Sequence, residues 1–420
     1  MKKLIQITLF NAFSFAVAIP AFSQDATEKK EEEKPKVTIS GYIDTYYLHA
    51  FNSPKSGNLM GYGQNVTPPT PAVGRAFDRL NDQFALGLVQ TKFAYSDKHS
   101  DLVVDLTFGP NAELGNFGNQ RLTPGGYATG YYPGNGNQNV LYGTSAAIKQ
   151  AYFTWKATSK LSFTVGQFGT HIGYEVIDAP INYHYSLSNL FNNGPFYHIG
   201  AKANYTFSEK AALMVGVVNN WDALTDWKAQ KSIIAQLYLK PVEGWNVYIN
   251  YIGGRNDDGF KSQGNVAYTS FDTGYSRNLV DLTTGYQITP KFYLGLNAAY
   301  GMYNFDTDAN ESTIISTYNS LKPTWGGVAG YANYAISDIV GIGVRYEYFD
   351  DKNGVRYIAT TNTSLTVTAP ITVADGHLIM KPELRIDNAK AIGGVDYYED
   401  KNGNPVSSQQ TLGMAFIYKY

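Results

Sequence analysis

The chain has 420 residues, with 33 Lys and Arg against 35 Asp and Glu and a formal net charge of −2, so it lacks the basic surplus by which a nucleic-acid binder holds phosphates. Charged residues are only 16% of the total, against roughly 25% in an ordinary soluble domain, while aromatics reach 15% and there are 41 Gly. The 44% hydrophobic content excludes disorder, and no internal apolar run approaches the ~18 residues of a membrane helix, which leaves an all-β chain of aromatic strands punctuated by glycine.

In chain order the first element is a short positive segment, Met1-Lys2-Lys3, followed by the mostly apolar stretch Leu4 to Ile19 and the small-x-small sequence Ala21-Phe22-Ser23. This pattern predicts a signal peptide over residues 1–23, cleaved after Ser23. With no Cys in the chain, lipidation at cysteine and a disulfide framework are both excluded. Residues 24–36, which include the run EKKEEEKPK, read as a solvated charged linker. Residues 37–420 then read as one transmembrane β-barrel.

Within that region, period-2 segments of about ten residues recur. Tyr197 to Phe207 sets Tyr197, Ile199, Ala201, Ala203, Tyr205 and Phe207 on one face, with His198, Lys202, Asn204 and Thr206 on the other. Trp245 to Tyr251 alternates in the same way, and so does Leu378 to Ile386, where Pro382 should weaken the pairing because it has no N–H. Short polar turns are predicted near Ser96-Asp97-Lys98, Thr158-Ser159-Lys160, Ser208-Glu209-Lys210, Pro241 to Gly244, Thr289-Pro290-Lys291, Ser337-Asp338 and Ala374-Asp375-Gly376. Long loops are expected at 52–81, 110–146, 171–196, 222–230, 255–275, 304–324, 351–355 and 388–407. Alternation of the two predicts about sixteen antiparallel strands in an up-and-down barrel, with both chain ends on the short-turn, periplasmic side.

A soluble sandwich would share this alternation. Two features favour a membrane instead. Bulky aromatics such as Phe153, Trp155, Tyr346 and Tyr348 crowd the apolar face toward strand ends, as an interfacial girdle requires. The last strand places Leu412, Met414, Phe416, Tyr418 and Tyr420 on one face, and only a closed barrel leaves no unpaired edge in lipid. Phe416, Tyr418 and Tyr420 are accordingly read as an outward aromatic signal for the barrel-assembly machinery.

The stretches Ile39-Ser-Gly-Tyr-Ile-Asp-Thr-Tyr-Tyr47, Phe108-Gly-Pro-Asn-Ala-Glu-Leu-Gly-Asn116, Gln150-Ala-Tyr-Phe-Thr-Trp155, Val165-Gly-Gln-Phe-Gly169 and Phe191-Asn-Asn-Gly-Pro-Phe-Tyr197 resemble the OmpL-like β-barrel porins of Gram-negative outer membranes. The resemblance implies an outer-membrane barrel and a diffusion pore. It brings no catalytic or ligand-binding residue and no cofactor.

Other chemistry finds little support. The six histidines, His49, His99, His171, His184, His198 and His377, include no i, i+4 pair and no HExxH, so no metal is assigned. His184 and Ser186 lie close, yet no strained G-x-S-x-G turn accompanies them, and no enzyme is expected. Asp306, Asp308 and Asn310 start like a calcium loop, but Glu311 replaces its glycine and Thr317 its final glutamate.

Assigning apolar positions to lipid turns Lys156, Lys202, Lys240, Arg277, Arg345, Lys381 and Arg385 into the lumen, with Asp44, Asp105, Asp281, Glu347 and Glu383. A sixteen-stranded interior is too wide to fill with side chains and is expected to hold water. The loop His171 to Pro195 is long and apolar, so it needs either a neighbouring subunit or the inner wall to pack on, and a homo-oligomer stays open. Folded inward, it would carry Glu175 and Asp178 to a constriction facing Arg345, Lys381 and Arg385 across a transverse field. The reading is therefore a porin passing small polar solutes and ions, with lipid as its other partner. Two alternatives are a barrel-anchored adhesin or glycan binder using Tyr127, Tyr131 and Tyr132, and an outer-membrane hydrolase. Single-channel conductance separates the three.

Overall fold

The computed structural model describes residues 36–59, 75–116, 143–224, 229–256, 260–262, 269–271, 275–305, 323–356, 360–389 and 396–420. The predicted signal peptide, most of the linker, Tyr127, Tyr131, Tyr132 and the Asp306 to Asn310 segment lie outside these residues.

Sixteen barrel strands are present. The first eight are β1 (Lys36–Ala50), β2 (Phe84–Ser96), β3 (Ser100–Phe108), β4 (Ile148–Lys156), β5 (Leu161–Gly169), β6 (Tyr197–Ser208), β7 (Ala211–Val218) and β8 (Ser232–Leu239). The second eight are β9 (Trp245–Asn256), β10 (Tyr275–Thr289), β11 (Phe292–Phe305), β12 (Thr324–Ala335), β13 (Gly341–Asp350), β14 (Thr361–Thr368, resuming at Ile371–Val373), β15 (Leu378–Ala389) and β16 (Ser408–Lys419). Each pairs antiparallel with its chain neighbour, and β16 returns to β1 in the register Tyr42↔Lys419 to Ala50↔Thr411. The sheet is therefore a closed barrel without a free edge, as the alternation of short and long connections predicted.

The turns form where the sequence supplies local acceptors. In the first, Asp97 Oδ1 accepts the N–H groups of His99 at 2.7 Å and Ser100 at 2.6 Å. Those donors, the His99 amide foremost, hold the Asp97 carboxyl down at about 2. The strands obey the predicted faces. Phe153, Trp155, Phe207, Tyr346 and Tyr348 are exposed on the outside, and Trp155 stacks across the β4–β5 turn on Phe163 at 5.7 Å. An apolar, aromatic exterior this continuous is a membrane surface.

Pro382 does not interrupt β15, whose pairing with β16 runs through Pro382↔Met414. The break falls on the other side: β14 stops at Thr368 opposite Glu383 and resumes at Ile371 opposite Met380. The register runs on across this break, with Ala369 N donating to Pro382 O at 3.0 Å, and Pro370 on β14 adds a second residue there with no N–H to give.

The apolar core sits inside the barrel. Phe168, Ile172, Leu190, Ile234, Leu279, Trp325 and Phe349 form one buried cluster, and Tyr42, Tyr46, Tyr185, Ile379 and Ile417 belong to another. Because the strands of the wall pair all the way round the barrel, the folded protein should resist SDS at room temperature and migrate differently once boiled. Identical migration of boiled and unboiled samples, or a helical circular-dichroism spectrum, would contradict a closed barrel.

Candidate functional site

The segment 170–196 between β5 and β6 folds into the lumen. Apolar side chains demanded that placement: Ile172, Leu187, Leu190 and Phe191 are buried there, whereas Ile181 stays exposed. One helical turn, Asn189–Asn193, begins at Ser188, whose Oγ accepts the Phe191 N–H at 3.1 Å.

Charged wall residues anchor this loop. Arg345 on β13 places Nη1 2.6 Å from Glu175 Oε1 and 2.7 Å from Ser186 O, while its Nη2 donates to Thr366 Oγ1 at 3.1 Å. Lys381 on β15 donates to Ala179 O at 2.7 Å and to Asn182 O. Arg385 donates from Nη1 to Leu187 O at 2.8 Å and from Nε to Asp387 Oδ1 at 2.8 Å. Carboxylates hold the opposite polarity. Glu383 accepts the N–H groups of Tyr185 at 2.8 Å and Ser186 at 3.1 Å, and Glu347 accepts that of Asn189 at 2.7 Å, at the start of the helical turn. On the far wall Asp281 accepts from Gly173 N at 3.1 Å, and the amides of Asn250 and Asn297 reach it at 2.7 and 2.6 Å.

The sequence expectation set Glu175 and Asp178 together, facing base across water. The structure separates them and removes the water gap. Glu175 touches Arg345 directly, and both are buried. Asp178 turns to the opposite side, where it accepts from Gln90 Nε2 at 2.9 Å and from the Lys149 ammonium, which also lies 3.4 Å from Asp105. Lys149 was not read as a lumen residue because strict alternation puts it on the Phe153 and Trp155 face. A register shift between Asp105 and Leu106, opposite Gln150 and Ile148, turns it inward. Arg75 and Asp78, paired at 2.7 Å inside the barrel, were missed too. They lie in the first long loop, where no periodicity exists to read.

Other expected lumen residues take separate places. Lys202 extends its ammonium over the Phe168 ring, 4.3 Å from the centroid. Arg277 stacks on Trp221 at 3.8 Å and donates to Asn220 Oδ1 at 2.8 Å. Lys156 pairs with Asp101 at 2.7 Å and Lys240 with Glu243 at 2.6 Å, both near the short turns. In the loop after β7, Asp222 accepts from Phe196 N at 2.6 Å and Tyr197 N at 3.1 Å, clasping the end of the inward loop. Burial pushes its carboxyl up to about 6 against those two donors. Phe416, Tyr418 and Tyr420 are exposed on the outer face.

The mid-lumen differs from the water-filled interior expected of so many strands. Inward residues such as Asp44, Asp105, Ile234, Asn250, Arg345, Thr366 and Glu383 are buried. The inward loop, turned in by its apolar side chains and fastened by the ionic contacts, supplies the bulk that wall side chains lack. Partial exposure persists on the side nearest the short turns, at Tyr152, Lys202, Gln236, Tyr248 and Tyr293. Among the described residues no cluster of three or more His, Cys, Asp or Glu could hold a metal ion.

A closed sixteen-stranded barrel with an aromatic outer belt and a long loop folded inside defines an outer-membrane protein of the porin class. The chain belongs to the family of putative beta-barrel porin-2, OmpL-like, which matches residues 36–420. Solved structures agree in fold. OmpT of Vibrio cholerae, an outer membrane protein in trimer form, superposes with a TM-score of 0.54 at 12% identity over 92% of this chain and 99% of its own. The anion-selective porin from Comamonas acidovorans gives 0.52 at 9% identity over 92% and 100%, and the OmpF of Salmonella typhi, in complex with daunomycin, 0.52 at 9% over 91% and 97%. No curated protein matches the sequence.

Proposed function

We propose that the protein is a passive channel for small polar solutes and ions rather than an enzyme. The observation that supports this best is the inward loop. It narrows a closed barrel from within, fixed by hydrogen bonds and ion pairs to the wall on several sides. Reconstitution in planar bilayers should give discrete conductance steps, small for a barrel of sixteen strands because the loop takes up much of the lumen. A protein that inserts yet carries no current would overturn the reading.

Glu175 and Asp178 enter this function through the bases they neutralise. In the double variant E175Q/D178N the shapes are kept, while Arg345 and Lys149 lose a counter-charge each. Low-dielectric walls concentrate the uncovered positive field. The reversal potential should move toward anions, and the shift should shrink at high salt as the Debye length contracts. An unchanged reversal potential at low salt in a conducting channel would place both acids outside the ion path.

A further inference from the structure

The arc of wall from β6 to β11 that lies nearest the short turns has a composition unlike the rest of the lumen. Its partly exposed inward residues are Tyr238, Tyr248 and Tyr293 with Asn204, Asn246 and Gln287. Tyr238 and Tyr248 are direct cross-strand partners with ring centroids 5.1 Å apart, and Tyr238 Oη donates to Asn246 Oδ1 at 2.8 Å. Tyr293 leans its ring along the wall over Gly285, where a Cβ would stand 1.8 Å from its Oη. That glycine leaves the recess a flat-lying ring needs. Tyr174 of the inward loop donates to Tyr293 Oη at 3.3 Å, tying the loop to the same surface.

Charge is scarce here. At the rim Lys240 is paired with Glu243. Lys202 stands above the arc with its ammonium over the Phe168 ring, and no acidic partner lies within 4.0 Å of it among the described residues. The ionic residues of the opposite wall are occupied by the loop.

We propose that this tyrosine and amide arc binds neutral polyhydroxylated solutes of the oligosaccharide class as they pass the periplasmic half of the channel. A sugar ring offers C–H faces that pack on aromatic rings, and hydroxyls that must exchange their water for other partners. Tyr side chains supply an apolar face with a polar tip. Asn and Gln amides donate and accept at once, which suits a hydroxyl. A small ion gains little from such a wall, since it offers no fixed counter-charge to replace lost hydration. The inference rests on the channel reading and names its solute class.

The test uses the full mature chain in planar bilayers, with a linear glucose tetrasaccharide added on the short-turn side. A polyethylene glycol of equal hydrodynamic radius serves as the control for simple obstruction. The saccharide should interrupt the current in a saturable manner, and the glycol should not. Three rings contribute to the contact, so Y238A/Y248A/Y293A should weaken saccharide binding more than about tenfold, its folding checked by heat-dependent migration in SDS. The corresponding triple Tyr→Phe variant keeps the rings and should stay within about threefold of wild type, since only the hydroxyl hydrogen bonds are lost. Equal effects of saccharide and glycol, or undiminished binding in the folded alanine variant, would overturn the solute class while leaving the channel standing. Absence of any current in the wild type would overturn the channel reading, and this inference with it.

Discussion

Replacing Arg345 by Ala is expected to release the inward loop and raise the single-channel conductance. Arg345 is fully buried and contacts Glu175, Ser186 and Thr366, with Glu347 3.5 Å from its Nε. Removing it leaves Glu175 and Glu347 close together with less positive charge around them. Breaking a buried pair on one side costs about 3–5 kcal/mol, because the partner charge is left uncompensated. The closed wall cannot relax to relieve that cost, but the loop can leave. Arg385 still lies 3.5 Å from Glu347, so Glu175 is the group that loses most and the loop is the element that moves. Larger steps with more flicker should result, with the barrel still heat-modifiable. R345K should fall between, since an ammonium keeps the charge but cannot serve Glu175, Ser186 and Thr366 with one rigid fork. Unchanged conductance in R345A, in a channel that still inserts, would show that the remaining wall contacts, those of Lys381, Arg385, Glu383 and Asp281 among them, hold the loop without Arg345.

The contrast between what could and could not be read beforehand follows from the physics of the two parts. The wall was legible because alternation has a fixed period. Lys381, Glu383 and Arg385 could be assigned to one face without knowing any neighbour, and the structure places all three inward on β15. The inward course of the loop was legible as well, from apolar residues that needed a surface. Its contacts were not. The distances from Glu175 to Arg345, 170 residues apart, and from Asp178 to Gln90, 88 apart, depend on closure of the barrel and carry no local signal. Lys149 shows the complementary failure, since one extra residue in a strand reverses every parity argument after it. Pro382 was expected to weaken its own strand, yet β15 runs through it paired with β16, and the break falls on β14 between Thr368 and Ile371, where Pro370 also lacks an N–H.

Deleting Tyr418 to Tyr420 should sharply reduce insertion into the outer membrane, because these residues close the seam. The final strand pairs on one side with β15, Tyr418 opposite Leu378, and on the other with β1, Lys419 opposite Tyr42. Beyond the strand itself, Tyr420 N donates to Gly41 O at 3.0 Å and Gly41 N donates to Tyr420 O at 3.2 Å. The phenol of Tyr420 then lies over Gly41, where a Cβ would stand 2.6 Å from its Oη, and reaches Thr91 on β2 at 3.2 Å. One side chain therefore spans the joint between the last strand and the first two. Tyr418 meets the His377 ring at 6.0 Å, and Lys419 exchanges hydrogen bonds with His377 of the preceding turn. Truncation removes several of these rungs at once, each worth about 0.5–1.5 kcal/mol, and the β1 and β15 groups they satisfied then face lipid headgroups instead of protein. The amount of heat-modifiable protein in outer-membrane fractions should fall steeply. The single variant Y420A, which keeps every backbone rung, should fall less. A truncated chain that inserts at the wild-type level would mean that closure is secured by the upper part of the seam, from Thr45↔Phe416 to Ala50↔Thr411, and that the terminal aromatics contribute only surface.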